Sequence, residues 1–145
     1  MSIDLIHMWH DRARPSPTHQ QFCVQLGCHF EEVAEQIATL GSEDAQLNNL
    51  VNATHLMMLR LSDALKNGGD VFVESREEFL DSIADQIVTG VGVGHCAKMQ
   101  VTEAVRRVNT SNWSKFDADG KPIFNEQGKI QKGPNYHKPD LTGLC

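Results

Sequence analysis

Long apolar runs are missing from this chain of 145 residues. None approaches the roughly 20 residues needed to cross a bilayer. The opening stretch MSIDLIHMWHDRARP holds no apolar segment of the signal-peptide kind. A cytoplasmic protein with no membrane partner is therefore expected. Basic residues do not dominate either. The formal net charge is −6, whereas nucleic-acid binders are normally basic, so no nucleic-acid partner is expected. Aromatics make up only 6%, which suits a helical core of Leu, Ile, Val, Met and Ala. Cys23, Cys28, Cys96 and Cys145 contain no CxxC pair and fit free thiols better than a disulfide framework. The seven histidines show no HxxxH spacing. Cys28-His29, His95-Cys96 and Cys23 hold the right atoms for zinc, without a ligand-motif spacing to support it.

What is present reads as one helical domain, with a helical core over about residues 17–110 and a Lys-rich loop over about 111–145. Residues 1–15 read as a short lead-in. Ser16-Pro17 offers a cap and a first-turn proline. Phe22, Leu26, Phe30, Val33, Ile37 and Leu40 then recur at steps of three and four, predicting a helix over 17–40 that Gly41 stops. A second helix is expected over 43–66, with Leu47, Leu50, Val51, Thr54, Met58, Leu61 and Leu65 as its stripe. Asn67-Gly68-Gly69-Asp70 ends it in a turn. Ser75-x-x-Glu78 is a capping-box pattern, and the helix it opens is expected to bury Phe79, Ile83, Ala84, Ile87 and Val91. A fourth helix starts near Thr102. Past Asn109 the chain is rich in Gly, Pro, Asn, Asp and Lys and reads as an ordered loop or small hairpin, with turns at Asp119-Gly120 and Gln127-Gly128.

Two acidic ridges stand out on these helices. Glu31, Glu32 and Glu35 fan over an arc of roughly 100° on the first, with Glu32 on the flank nearer the stripe. Glu78, Asp81 and Asp85 share one ridge of the third. Clustered like charges repel unless a cation neutralises them. Mg2+ takes carboxylates together with waters and substrate phosphates, so facing ridges would suit a metal-chelated polyphosphate. Acids on the polar side of an amphipathic helix are also simply solvated in many proteins.

The tail adds a further pattern. Val108-Asn109-Thr110-Ser111-Asn112-Trp113-Ser114-Lys115 is followed by Asp119-Gly120-Lys121-Pro122, Gly128-Lys129, and Lys132-Gly133-Pro134-Asn135-Tyr136 running to Pro139-Asp140-Leu141. With the EExxE motif and the later acid pair, this resembles the all-α nucleoside triphosphate pyrophosphohydrolases, the MazG-like and phosphoribosyl-ATP pyrophosphohydrolase superfamily. It is most similar to small phage and bacterial members, and the likeness spans roughly residues 19–141. The resemblance implies an all-α, four-helix-bundle-like fold in a homodimer or homotetramer. It implies hydrolysis of a nucleoside triphosphate to a monophosphate and pyrophosphate with Mg2+ or Mn2+. A purine such as dGTP or GTP is the expected substrate, and the phage members of the family point to a phage origin. On the matching positions, Glu32, Glu35, Asp81 and Asp85 would hold metal. Glu31 and Glu32 would serve the catalytic step. Asn112, Lys115, Lys132 and Tyr136 would hold substrate.

One position departs from the family pattern. Ser82 stands where a Glu is expected three residues before Asp85, and the literal ExxD is Glu78 to Asp81, one turn earlier. Asp81 could take over the missing role. The same departure keeps open a non-catalytic helical scaffold, and a phosphoribosyl-ATP-type enzyme is a further alternative. Trp113 and the Met57-Met58 pair read as packing residues rather than ligand contacts.

Overall fold

The computed structural model describes residues 2–126 and 128–145, and of Ser2 the backbone alone. Among them it is all-helical: α1 (Ser2–Ala13), α2 (His19–Ala38), α3 (Ala45–Lys66), α4 (Arg76–Cys96) and α5 (Val101–Trp113). In place of a hairpin, the tail carries a single isolated antiparallel bridge, Phe124 with Ile130. The chain packs as two compact units. One is Pro17–Val71 with Asn125–Lys129; the other is Met1–Ser16, Phe72–Phe124 and Ile130–Cys145.

The first unit is an α2–α3 hairpin. Thr18, rather than Ser16, caps α2: its side chain accepts from Gln21 N–H, and the Gln21 side chain accepts in return from Thr18 N–H. That reciprocal box satisfies two otherwise orphaned donors. Asp44 caps α3 by accepting from Gln46 and Leu47 N–H. The helices run antiparallel, with Gly27 against Ser62 and Leu65, and Ala34 against His55, whose Nδ1 donates to the Ala34 carbonyl at 2.9 Å.

The contact seam is made of small residues. Cys23, Val24, Gly27 and Ala34 are buried on α2, and Ser62 and Leu65 on α3. A Cβ at Gly27 would stand 2.9 Å from the Ser62 carbonyl oxygen, so only glycine permits this approach. The α3 stripe is accordingly rotated from the sequence expectation. Val51, Met58 and Leu65 turn inward, while Leu47, Leu50 and Leu61 are exposed. Selecting by hydrophobicity found the large residues; close backbone packing selected the small ones.

The second unit holds the cluster Trp9, Ala13 and Phe116, with Ile130 packed against it. The Trp9 and Phe116 rings stack at 5.8 Å, 3° from parallel, and Trp9 Nε1 donates to the Asn112 carbonyl. Trp9 belongs to α1, in the segment expected as a lead-in. The helix is hard to read because Ile3, Leu5 and Met8 are exposed and only Trp9 and Ala13 form its buried stripe. At the far end of the unit, the Leu144 carbonyl accepts from Gln100 N–H and the Gly143 carbonyl from the Gln100 side chain. The returning tail thereby holds Gln100, the N-cap of α5, whose side chain makes no capping hydrogen bond to the helix.

α4 differs from its expectation most. Ser75 caps it, accepting from Glu78 N–H, and the helix forms over its full length. Gly94 is its single buried residue. Ile83, Ile87 and Val91 are exposed, as are Leu80, Val88 and Val93, and Ala84 with them; Phe79 is half-buried. The stripe exists in sequence, but within one chain it is not covered.

Candidate functional site

On α2 the three acids separate into one held carboxylate and two open ones. Glu31 follows Gly27 by four residues and precedes Ala34 by three, so it flanks the seam. Its Oε1 meets Lys66 Nζ of α3 at 3.0 Å, and its Oε2 meets Lys129 Nζ at 2.9 Å. Glu31, not Glu32, is thus the acid nearest the packed face, because the seam runs through Gly27 and Ala34 rather than through the large apolar residues. The Lys129 hydrogen bond, reinforced by Lys66, holds the Glu31 carboxyl below the usual range against the opposing effect of burial. Lys129 is raised in turn, chiefly by Glu31. Glu32 and Glu35 are exposed.

The loop that delivers Lys129 is a tight turn. Asn125 N–H donates to the Lys129 carbonyl, Lys129 N–H donates to Asn125 Oδ1, and Gly128 N–H donates to the Asn125 carbonyl. Gly128 has φ +75°, a conformation glycine adopts at little cost. Of the expected Gln127-Gly128 turn, Gln127 lies outside the described residues. The turn expected at Asp119-Gly120 is present, with Gly120 at φ +70° and Asp117 accepting from Asp119 and Lys121 N–H.

The remaining acids and the tail residues belong to the other unit. Glu78, Asp81, Ser82 and Asp85 are all exposed on α4. The serines of the SNxSK motif serve the fold. Ser111 Oγ donates to the His137 carbonyl at 2.7 Å, and Ser114 Oγ accepts from His137 N–H at 3.1 Å. Lys115 contributes its carbonyl, which accepts from Gly133 N–H, where a Cβ on Gly133 would stand 2.5 Å from that oxygen. The motif therefore fastens the returning tail to the end of α5. Its cations face rings: Lys115 Nζ lies 5.8 Å from the Trp9 centroid and Lys132 Nζ 4.9 Å from that of Tyr136. Trp113 stands edge-on to Phe116 but is itself exposed rather than part of the core.

Two features escaped the sequence reading. Lys129 was one of several tail lysines, and only the Asn125–Lys129 turn distinguishes it. A cavity of about 390 Å³ is lined by Arg106, Arg107, Thr110, His137, Lys138 and Asp140. Its arginines are committed to Glu103, which they lower to about 2. No helix among the described residues is long and apolar enough to cross a membrane. Scans against protein-family models, curated proteins and solved structures match nothing to this chain.

Proposed function

We propose that the protein is a Mg2+-dependent nucleoside triphosphate pyrophosphohydrolase, releasing a nucleoside monophosphate and pyrophosphate, with a purine nucleotide such as dGTP or GTP as substrate. The observation that carries this reading is Lys129, which a tail turn sets against the acids of α2. Acids for a metal and a lysine for phosphate on one surface are what a chelated polyphosphate needs. The donor chemistry fits Mg2+. Glu32 and Glu35 on α2, and Asp81 and Asp85 on α4, are exposed oxygen donors at three- and four-residue spacings. Bound Mg2+ supplies phosphoryl polarisation and an acidified water. Glu31 would orient that water once arriving phosphates compete for Lys129 and Lys66 and release its carboxylate. Asn112, Lys115, Lys132 and Tyr136, which belong to the other unit, are the substrate contacts that the family resemblance implies.

Self-assembly belongs to the same reading. Leu47, Leu50, Leu56, Met57 and Leu61 on α3, and Leu80, Ile83, Ile87, Val88 and Val91 on α4, are large apolar side chains left exposed. Contiguous patches of this kind mark interaction surfaces. Two copies of the α2–α3 hairpin would make a four-helix bundle in a homodimer or homotetramer.

The test is a panel of the eight common NTPs and dNTPs with Mg2+ or Mn2+, reading pyrophosphate and orthophosphate separately. Pyrophosphate from one or two nucleotides is expected. Glu35→Gln should lower it by at least about 100-fold, beyond the roughly 10–100-fold cost of losing a group that only orients a metal ligand. Orthophosphate alone, or an unchanged Glu35→Gln rate, overturns the reading. The second reading, a non-catalytic scaffold, is favoured by Ser82 and by the two lysines already neutralising Glu31. Silence across the panel, with no thermal stabilisation by millimolar Mn2+, would establish it instead.

A further inference from the structure

A second group of donors lies at the open end of the hairpin unit, away from the acids of α2. His19 and Cys23 are four residues apart in the first turns of α2, so both project from one ridge. Asp70 reaches them from beyond α3, through a turn that two glycines make possible. Gly68 has φ +97°, and at Gly69 a Cβ would stand 2.6 Å from the Ala64 carbonyl oxygen. His19 Nε2 lies 2.6 Å from Asp70 Oδ1. Cys23 Sγ lies 3.8 Å from His19 Nε2, 4.0 Å from Asp70 Oδ1 and 3.8 Å from the Val71 carbonyl oxygen. Among the described residues this is the one group of three His, Cys, Asp or Glu side chains whose ligand atoms lie so close together.

The environment of the sulfur separates a metal site from an ordinary buried cysteine. While His19 Nε2 shares a proton with Asp70 Oδ1, Cys23, 1% exposed, faces two acceptors, Asp70 Oδ1 and the Val71 carbonyl oxygen. A single S–H proton serves only one of them. A cation bonded to sulfur, imidazole nitrogen and carboxylate oxygen would satisfy all three side chains together. Tetrahedral zinc with ordinary bond lengths sets its S–N, S–O and N–O edges at about 3.6, 3.6 and 3.4 Å. The sulfur edges are already within a few tenths of an ångström of that. The His19–Asp70 edge must open, and both side chains are free to move, with relative exposures of 58% and 80%.

We propose that His19, Cys23 and Asp70 form a zinc site, with the thiolate buried and a fourth position open to water on the exposed side. One sulfur, one nitrogen and one oxygen donor make a borderline-soft set that selects zinc over Mg2+. The site would latch the start of α2 to the end of α3. Its sequence signal is His19-x-x-x-Cys23, a helical ligand spacing hidden from a search for paired histidines or paired cysteines.

The experiment is a Co2+ titration of the full, chelator-treated chain, followed by displacement with Zn2+ and by thermal unfolding with and without Zn2+. One equivalent of Co2+ is expected, showing thiolate-to-cobalt charge transfer and tetrahedral d–d bands, with Zn2+ displacing it and raising Tm. Cys23→Ser should abolish the charge-transfer band. His19→Gln is a surface change that leaves the fold intact; it should weaken Co2+ and Zn2+ by at least the roughly 10–100-fold that losing a mere orienting contact costs. Cys28→Ser and Cys96→Ser should change neither. The proposal fails if Co2+ does not bind, if it binds without the thiolate band, if the band depends on Cys28 or Cys96, or if His19→Gln binds as tightly as the parent chain.

Discussion

α2 and α4 are alike in sequence and opposite in environment. Each is about twenty residues long, opens on a side-chain cap, carries spaced acids on one side and has apolar residues at helical spacing. α2 buries Cys23, Val24, Gly27 and Ala34 against α3. α4 buries Gly94 alone, which a Cβ would drive to 2.0 Å from Val101 Cγ2. Periodicity therefore reports that a helix has a face to bury, not that its own chain covers that face. The contrast makes glycine the sharpest probe, since Gly27 of α2 is indispensable while a Cβ at Gly90 of α4 would meet nothing within 4 Å.

The largest stability effect is expected at Gly27. Gly27→Leu would force a side chain into Ser62, Leu65 and Lys66, where even a Cβ is too close. Overpacking of this kind costs about 1–3 kcal/mol and can exceed it when backbone must move. Chemical denaturation should show a lower midpoint, with amide protection lost first in α2 and α3. A midpoint equal to that of the parent chain would mean that the seam is not closely packed through Gly27.

On α4 the same logic predicts a change in assembly instead of folding. Ile83→Glu with Ile87→Glu places charges on a face that is exposed within one chain. Helicity by circular dichroism should hold. Sedimentation should show the proposed self-assembly lost, with each anchor worth about 1–2 kcal/mol if it is central to an interface. Loss of helicity at a concentration where the parent chain is already monomeric would show that α4 is covered by its own chain after all.

The clamp at Glu31 should register in pH dependence. Its folded pKa is lowered by Lys129 and Lys66, so the stabilisation is present above the ordinary carboxylate pKa. It is lost as pH falls through the lowered one. Lys129 is raised, so its contribution is present below the ordinary lysine pKa and lost as pH rises through the raised one. With Lys129 Nζ partly solvated, the pair is worth roughly 0–1 kcal/mol. The protection factor at Lys129, whose backbone N–H is held by Asn125, taken against the intrinsic exchange rate at each pH, should fall in acid. Glu31→Gln should lower that protection factor by up to about fivefold at neutral pH and remove its acid dependence. Protection unchanged in the variant would show that the turn holds itself.

Much of this fold was legible, and the illegible parts share a cause. The spans of α2, α3 and α4 follow from periodicity, caps and turn signals, all local, whereas α5 has no side-chain cap and runs on to Trp113, past the expected loop boundary at 111. What failed was the identity of the buried face: α3 is rotated toward Ser62, α4 is uncovered, and α1 is anchored by Trp9 on Phe116, more than a hundred residues away. Each depends on a partner that local pattern does not name. The candidate site divides in the same way. EExxE could be read directly, whereas its engagement by Lys129 depends on how the Asn125–Lys129 turn closes.

The last predicted effect has the opposite sign. Gly90 lies inside α4, and a Cβ there meets nothing within 4 Å. Glycine in a helix interior costs roughly 0.5–1 kcal/mol relative to alanine, largely through the entropy of the unfolded chain. Gly90→Ala should therefore raise the unfolding free energy by about that amount, seen as a higher midpoint at unchanged slope, while leaving helicity unchanged. It also tests assembly independently of the charge substitutions. If a second copy approaches α4 closely at its glycine-rich end, the added methyl would weaken association even as it stabilises the isolated chain. A gain in stability with unaltered sedimentation would place the interface toward Leu80, Ile83 and Ile87. A gain accompanied by dissociation would place it at Gly90 and Val91.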